Sequence, residues 1–260
     1  MFKFIRITIL LGILAWAAFY TKIQHLQSRS WSEPLAVTIY PINGDNGSNS
    51  VNEYINNLES QDFSAIDAFI KQESEGYNLT SKQQPTITSL GAKIDQLPPP
   101  APLPGSDSTA EIILWSLKLR YWVWQNTPDN QSNLRRVRIF VLYHEATKGR
   151  LLQHSLGIDN GLVAVVHAFA SDVHSAQNNV VITHELLHTV GATDKYDASA
   201  NNQPIFPNGY ADPDLEPLYP QNLAEIMAGR IPISEGQSQM PLSLNQCVIG
   251  EQTAAEINWR

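Results

Sequence analysis

Apolar positions along the chain predict strands and helices in alternation. Short runs rich in β-branched residues, bounded by proline, glycine or polar residues, are typical of strands. Such runs occupy residues 35–40, 86–90, 137–143 and 161–170. Apolar residues at helical spacing instead predict helices over residues 50–59, 64–75, 108–125 and about 180–190, with a short closing helix over 253–259. The alternation continues without a clear boundary, so we expect residues 35–260 to form one domain of strands and helices.

The helix predicted over residues 108–125 differs from the others because it is apolar on nearly all sides. Such a helix is expected to be substantially buried. A proline-rich run precedes it, over residues 97–105, and proline is incompatible with a helix interior or a central strand. We interpret the run as an extended surface loop rather than a linker between two domains, because the pattern of strands and helices resumes after it.

The first 21 residues carry the pattern of a membrane-targeting segment. An apolar run over residues 7–20 follows Lys3 and Arg6 and is followed by Lys22. This arrangement predicts an N-terminal transmembrane anchor whose basic end stays in the cytoplasm, with residues 22–34 as a polar stalk. The domain that follows would then be exported, to the periplasm or to the extracellular side. A cleaved signal peptide, which would release a secreted protein, is the alternative.

Composition and charge exclude some classes of partner. The chain of 260 residues has a net charge of −8 and 43% hydrophobic residues, and this hydrophobic share is ordinary for a globular protein with a core. Nucleic-acid binding needs clustered lysine and arginine, so we expect no nucleic-acid partner. The one cysteine, Cys247, excludes a disulfide within the chain. The hydrophobic core therefore has to stabilise the domain.

The most specific motif is His184-Glu185-Leu186-Leu187-His188, an H-E-x-x-H sequence. Two histidines four positions apart on a helix project from one face and can bind one zinc ion. Glu185 lies between them, where its carboxylate can act on a water bound to that ion. The motif therefore predicts a zinc centre.

The helix that carries the motif has signals at both ends. Asn178 or Asn179 can cap its start, and Gly191 directly follows its end, where glycine usually adopts the left-handed conformation that reverses the chain. The reversal is expected to bring Asp194 back toward the two histidines as a third ligand. Three protein ligands leave a fourth position for water, which is the catalytic arrangement. The alternatives for the third ligand are Asp197, Glu216 and Glu225.

The motif and the turn after it, H-E-x-x-H-x-x-G-x-x-D, resemble the metzincin branch of the zinc metallopeptidases, and in particular the snapalysin-type variant with aspartate as third ligand. The resemblance covers roughly residues 178–230. It implies a zincin-like catalytic domain of the α+β class over residues 35–260, in which a twisted mixed sheet packs on helices. It also implies that this domain binds Zn²⁺ through the two histidines and Asp194. It further implies hydrolysis of peptide bonds with Glu185 as general base, and a tight turn that places Met227 beneath the metal.

The resemblance also implies how a substrate would be bound. A tyrosine often assists the oxyanion in related enzymes, and the sequence offers Tyr196, Tyr210 and Tyr219 for this role. Residues 164–168, just before the metal-binding helix, would form the upper edge of the cleft, where an extended peptide can pair; an ordinary internal strand is the alternative. The other histidines lack ligand spacing and are expected to be structural or solvated: His25, His144, His154, His167 and His174.

The expected function is that of a zinc-dependent peptidase acting on a peptide or protein substrate. Two alternatives stay open. One is a zinc hydrolase of a non-protein amide, such as a cell-wall or lipid-linked amide, which a membrane-proximal position would suit. The other is an inactive binding module that keeps the zincin fold, although Glu185 and all the expected ligands are present in this chain.

Overall fold

The computed structural model describes residues 2–77, 79, 84–102, 109–127, 134–158 and 161–260. Its α-helices are α1 (Phe2–Ser28), α2 (Asn49–Asn56), α3 (Ser64–Gly76), α4 (Thr109–Asn126), α5 (Asp172–Thr189) and α6 (Glu251–Glu256). Its strands are β1 (Leu35–Asn43), β2 (Thr86–Leu90), β3 (Arg136–His144), β4 (Leu156–Ile158), β5 (Val163–Phe169), β6 (Tyr196–Asp197), β7 (Gln203–Pro204), β8 (Ala224–Glu225), β9 (Ile231–Ser234), β10 (Gln237–Gln239) and β11 (Cys247–Val248). Short 3₁₀ helices span Ser60–Phe63, Ala198–Ala200 and Leu244–Gln246.

The first five strands form one sheet in the order β2-β1-β3-β5-β4. Four of them are parallel, and β4 runs antiparallel to β5 at the edge. Parallel neighbours need crossover connections, and α2 and α3 lie between β1 and β2 while α4 lies between β2 and β3. All four predicted strands form, and the prediction of a mixed sheet with helices is confirmed. The class, however, is mixed α/β rather than the predicted α+β, because most of the sheet is parallel.

Apolar residues fill the space on both faces of this sheet. Successive side chains of a strand point to opposite faces, so alternate residues of β1 and β3 join two different clusters. One cluster, which includes α3 and α5, contains Val37, Ile39, Ile139, Val141, Ile182 and Leu186. The other, which includes α4, contains Tyr40, Ile42, Phe140, Leu142, Leu119 and Trp122. The H-E-x-x-H motif therefore lies on a helix whose apolar side packs against the sheet.

Only one side of α4 belongs to the core. Leu119, Trp122 and Val123 are buried, whereas six large apolar side chains are 48–73% exposed: Ile112, Ile113, Leu114, Leu117, Tyr121 and Trp124. The prediction that this helix is substantially buried is therefore wrong for most of its length. The apolar pattern is real, but the pattern does not reveal which sides of the helix face other parts of the protein.

The N-terminal helix α1 continues past the predicted anchor into the predicted stalk. It ends at Ser28, and the indole Nε1 of the buried Trp31 donates a hydrogen bond to the carbonyl of Ile257 over 2.7 Å. The rings of Trp31 and Trp259 also meet edge to face, with centroids 5.5 Å apart. In the part of the chain that the structure describes, no helix combines the length and the apolar character needed to cross a membrane. The membrane anchor stays a prediction.

A buried carboxylate connects the turn after β8 to α6. Glu225 is 0% exposed, and it accepts the backbone N–H groups of Met227 over 2.6 Å and Ala228 over 3.0 Å. It also accepts the N–H of Gly250 over 3.2 Å and the hydroxyl of Thr253 over 2.7 Å. The four donors offset part of the cost of burying this carboxylate, although burial still raises the pKa of Glu225. They also fix the turn next to the site described below.

Candidate metal centre

The helix that carries the motif, α5, starts two turns earlier than predicted. The backbone of Ser171 is extended (φ −163°, ψ 132°) and Asp172 begins the helix. Asn178 and Asn179 therefore lie inside it, and the prediction that they cap it is wrong. Asn178 instead bonds the backbone of Phe169 at the end of β5, accepting its N–H over 3.2 Å and donating to its carbonyl over 2.9 Å. These two bonds fix the helix against the sheet.

The end of α5 reverses the chain, as predicted. Gly191 has a φ of +101°, the left-handed conformation that ends many helices. The N–H of Ala192 donates to the carbonyl of Leu187 over 3.0 Å and closes the turn. The carbonyl of Ala192 lies 2.8 Å from Nδ1 of His188, so the turn also orients that ring. Asp194 follows two residues later and lies beside both histidines of the motif.

The side chains of His184, His188 and Asp194 converge on one point. The Nε2 atoms of the two rings are 3.0 Å apart, and Asp194 Oδ1 lies 3.2 Å and 3.1 Å from them. Ligand atoms at about 2.0–2.1 Å from a tetrahedral ion lie about 3.3–3.4 Å from one another, so the three separations are close to those of a metal site. Among the described residues, this is the one cluster of histidine, cysteine or acidic side chains close enough to share an ion.

The hydrogen bonds of the two rings leave their Nε2 lone pairs for a metal. His184 Nδ1 lies 2.9 Å from the carbonyl of Ile226, and His188 Nδ1 faces the carbonyl of Ala192. A carbonyl can only accept, so in each neutral ring Nδ1 carries the proton. Two bare nitrogens and a carboxylate then face one another without a donor. Such acceptors repel each other unless a cation or a proton lies between them, and the donor set therefore fits a divalent cation.

The short distances between these side chains also shift the pKa values of His184 and Asp194. Burial lowers the pKa of His184, but the hydrogen bond to Asp194 and the charge of Glu185 outweigh burial and raise the pKa to about 9. Burial raises the pKa of the Asp194 carboxyl, yet hydrogen bonds to the two histidines hold it well below its usual range. A proton thus binds tightly where a metal ion would bind. Metal binding has to displace it, so affinity should increase with pH.

Glu185 is buried beside the cluster, with 5% of the residue exposed. Burial raises the pKa of its carboxyl, and the charges of His184 and His188 oppose that increase. Its Oε2 atom has no hydrogen-bond partner among the described residues. Strand β4 passes close by, because a Cβ on Gly157 would lie only 3.2 Å from that atom and 2.6 Å from the Glu185 carbonyl. A buried oxygen without a partner is costly, so we expect a water or a substrate group beside it.

The alternative third ligands all lie outside the cluster. The Asp197 carboxylate accepts the N–H of Ser199 over 2.8 Å, Glu216 is exposed, and Glu225 is occupied by the turn after β8. Of the four acidic residues considered from the sequence, only Asp194 is grouped with the two histidines.

The turn that contains Met227 supports the cluster through its backbone. The carbonyl of Ile226 faces His184, and the carbonyl of Met227 accepts the N–H of Lys195 over 3.0 Å, next to Asp194. The Met227 side chain is 0% exposed and belongs to the core cluster on the α5 face of the sheet. The turn therefore positions two of the three clustered side chains.

A cavity of about 380 Å³ opens beside the cluster. His184 and Glu185 contribute to its wall, together with residues 150–155 and residues 228–230. The prediction that residues 164–168 form the sheet edge is wrong for residues 164 and 165, because β4 pairs with residues 163–165 of β5. Among the described residues, no strand pairs with residues 166–168 on that side. Strand β5 is the internal strand of the alternative interpretation, and β4 is the edge.

One of the three candidate tyrosines lies at the cavity. Tyr196 lines it, and its ring centroid is 6.4 Å from that of His184. Burial, and after it the charge of Asp194, raises the pKa of Tyr196 to about 12. Tyr210 and Tyr219 instead bond each other through their hydroxyls over 2.8 Å, and neither lines this cavity. Of the three candidate tyrosines, Tyr196 is the one placed to contact a molecule bound in this cavity.

A second polar network reaches the same cavity, and the sequence did not predict it. Asp45 binds both terminal nitrogens of Arg150 at 2.6 Å and accepts from Nδ1 of His144 over 2.8 Å. His144 Nε2 lies 2.9 Å from Nδ1 of His167, which lines the cavity. Burial, and after it the nearby His144, lowers the pKa of His167 to about 4. The two histidines meet only because β3 and β5 are neighbours, so their spacing in the sequence carries no signal.

No known family model matches this chain, and no curated protein matches it either. The interpretation of the site therefore depends on the side chains that the fold brings together.

Proposed function

We propose that this protein is a zinc-dependent peptidase with a zincin-like catalytic domain. One observation carries the proposal: two imidazole nitrogens and a carboxylate oxygen converge beside a buried glutamate that has an unpartnered oxygen. His184, His188 and Asp194 would be the ligands and would leave one tetrahedral position open. Imidazole and carboxylate suit zinc. The same donors also bind iron(II), and analysis of the bound metal separates the two ions.

The residues around the cluster have complementary roles in this mechanism. Zinc held here would lower the pKa of a bound water and polarise a substrate carbonyl. Glu185 would take the proton of the attacking water and pass it to the leaving amine. The carbonyls of Ile226 and Ala192 would keep both Nδ1 protons in place and so direct the ring lone pairs inward. The hydroxyl of Tyr196 would donate to the developing oxyanion.

The cavity supports an extended peptide as the substrate. Strand β4 is the edge of the five-stranded sheet and passes within van der Waals distance of Glu185 at Gly157. An extended chain can add to such an edge through backbone hydrogen bonds, with side chains in adjacent pockets. This arrangement would bring a scissile bond next to the general base. A cell-wall or lipid-linked amide is the alternative substrate, and the same residues would act on it.

The substitution Glu185→Gln tests the role of the general base. We expect it to lower kcat for a peptide substrate by about 10²–10⁴-fold, while the protein keeps its fold and one bound zinc. Turnover is measured with a fluorogenic peptide library, and bound metal by elemental analysis. The exposed Glu235 gives a matched control, because Glu235→Gln makes the same chemical change away from the cavity.

The outcomes separate the possible functions. Wild-type turnover by the Glu185→Gln variant would rule out Glu185 as the base. Retention of stoichiometric zinc by a His184→Ala variant would rule out the ligand set. Cleavage of cell-wall fragments without cleavage of any peptide would favour the alternative substrate. If elemental analysis finds one bound iron per chain, the metal of the proposal is iron(II) rather than zinc.

A further inference from the structure

The loop that carries Asp194 is held by a residue that lies 63 positions after Thr193 in the sequence. Glu256, the last residue of α6, accepts the N–H of Thr193 over 2.8 Å and its hydroxyl over 2.9 Å. Lys195 Nζ lies 2.9 Å and 2.8 Å from the two carboxylate oxygens of Glu256. One carboxylate therefore holds the residues on both sides of Asp194.

The ion pair in this arrangement is shielded from water. The side chain of Lys195 is 6% exposed and that of Glu256 is 18% exposed. Lys195 Nζ also donates to the carbonyl and the hydroxyl of Thr193, each over 2.8 Å. These hydrogen bonds and the ion pair together favour one geometry for the two side chains. Loss of either partner would leave the charge of the other uncompensated. The side chain of Asp194, by contrast, is 43% exposed, whereas Ala192 and Lys195 on either side of it are buried.

Helix α6 is fixed at its other end as well. Gly250 and Thr253 donate to Glu225, and the same carboxylate holds the turn whose Ile226 carbonyl faces His184. Helix α6 thus contacts both the turn whose carbonyl faces His184 and the loop that carries Asp194. Neither connection is local in the sequence, and both use a buried or partly buried glutamate that the proposed chemistry does not involve.

We propose that Glu256 is a positioning residue that holds Asp194 ready for the metal and thereby sets the metal affinity of the site. The inference rests on the proposed function, since it takes the cluster of His184, His188 and Asp194 as the metal centre. A ligand that is already in place loses little freedom when the ion binds, whereas a mobile loop has to be ordered at that step. Groups that orient metal ligands typically contribute 10–100-fold to metal affinity.

The test compares Glu256→Gln with Glu251→Gln in the full chain. Glutamine keeps the size of Glu256 but replaces one acceptor by an N–H₂ donor facing Lys195 or Thr193. Glu251 lies on the same helix and forms an ion pair with Arg260 at the surface. We expect Glu256→Gln to weaken zinc binding by about 10–100-fold in competition with a chromophoric chelator, and Glu251→Gln to bind as the wild type does.

A second background distinguishes positioning from general stabilisation. If Glu256 acts through Asp194, Glu256→Gln has no further effect on zinc affinity in a protein that already carries Asp194→Ala. An equal loss in both backgrounds overturns the inference, and so does unchanged affinity of the single variant. If Asp194→Ala itself binds zinc like the wild type, the proposed ligand set fails and this inference fails with it. Should Glu256→Gln not fold, Glu256→Asp keeps the charge, shortens the reach by one methylene, and is judged by the same outcomes.

Discussion

At the scale of single residues, two backbone carbonyls decide what the histidines of the motif can do. The carbonyl of Ala192 comes from the turn that directly follows α5, whereas the carbonyl of Ile226 comes from a turn 42 residues away from His184 in the sequence. The contact between His188 and the Ala192 carbonyl is local, so the motif and Gly191 together predict how Asp194 approaches the histidines. The contact between His184 and the Ile226 carbonyl depends on the folded chain, and no spacing in the sequence indicates it.

His167 should make the stability of the protein depend on pH. Its folded-state pKa is lowered to about 4, by burial first and then by His144, from an unfolded value of about 6.5. Between these values the unfolded chain binds a proton that the folded chain does not, so stability should decrease as the pH falls from about 6.5 to 4. We expect His167→Asn to reduce this decrease, measured as the difference between urea midpoints at pH 7.5 and pH 5 in metal-free protein.

The matched control for that experiment is His154→Asn. His154 lines the same cavity but is exposed, so its substitution removes a histidine without removing a buried ring. The control should keep the wild-type difference between the two midpoints. Equal behaviour of both variants would show that burial of His167 does not cause the pH dependence.

At the scale of elements, the sequence predicts the type of a segment better than its boundaries or its surroundings. The helix with the motif was predicted from residue 180, but Ser171 and Asp172 start it. The error has a physical cause: asparagine is a good cap, yet Asn178 uses its amide to bind Phe169 in β5, and that contact exists only once the sheet has formed. The exposed side of α4 has a similar explanation, since periodicity identifies apolar faces without identifying their neighbours.

Two leucines of α4 test its one-sided burial. Leu119 is 2% exposed and Leu117 is 59% exposed. We expect Leu119→Ala to lower the free energy of unfolding by about 2–5 kcal/mol, because it leaves a cavity against the sheet. Leu117→Ala should change that free energy by about 0.5 kcal/mol or less. Both are measured by chemical denaturation, and equal losses would contradict the observed orientation of the helix.

At the scale of the whole molecule, the sheet brings together residues that the sequence keeps apart. The predicted strands were sufficient to expect a mixed sheet, but their order was not predictable from local patterns. That order places β4, rather than β5, at the edge beside Glu185. It also joins His144 to His167. The grouping of His184, His188 and Asp194 was predictable because all three lie within one helix and the turn after it. The walls of the cavity, in contrast, come from distant segments.

Metal binding should stabilise the whole domain. A ligand that binds only the folded state at 100 times its Kd adds about 2.7 kcal/mol, which corresponds to about 5–11 °C in Tm for a domain of this size. We therefore expect zinc to raise the Tm of metal-free protein by that amount in a thermal shift assay. His188→Ala should remove the response. An unchanged response in that variant would mean that the ion binds elsewhere.

The contact of Trp31 with Ile257 and Trp259 determines where the first helix can be removed. A shortened protein that starts at residue 29 keeps the indole that covers the C-terminal segment. One that starts at residue 35, where the predicted stalk ends, exposes Trp259 and leaves the Ile257 carbonyl without its donor, one residue from Glu256. Removal of a segment chosen only for its hydropathy would thus loosen the C-terminal segment and, with it, the loop that carries Asp194.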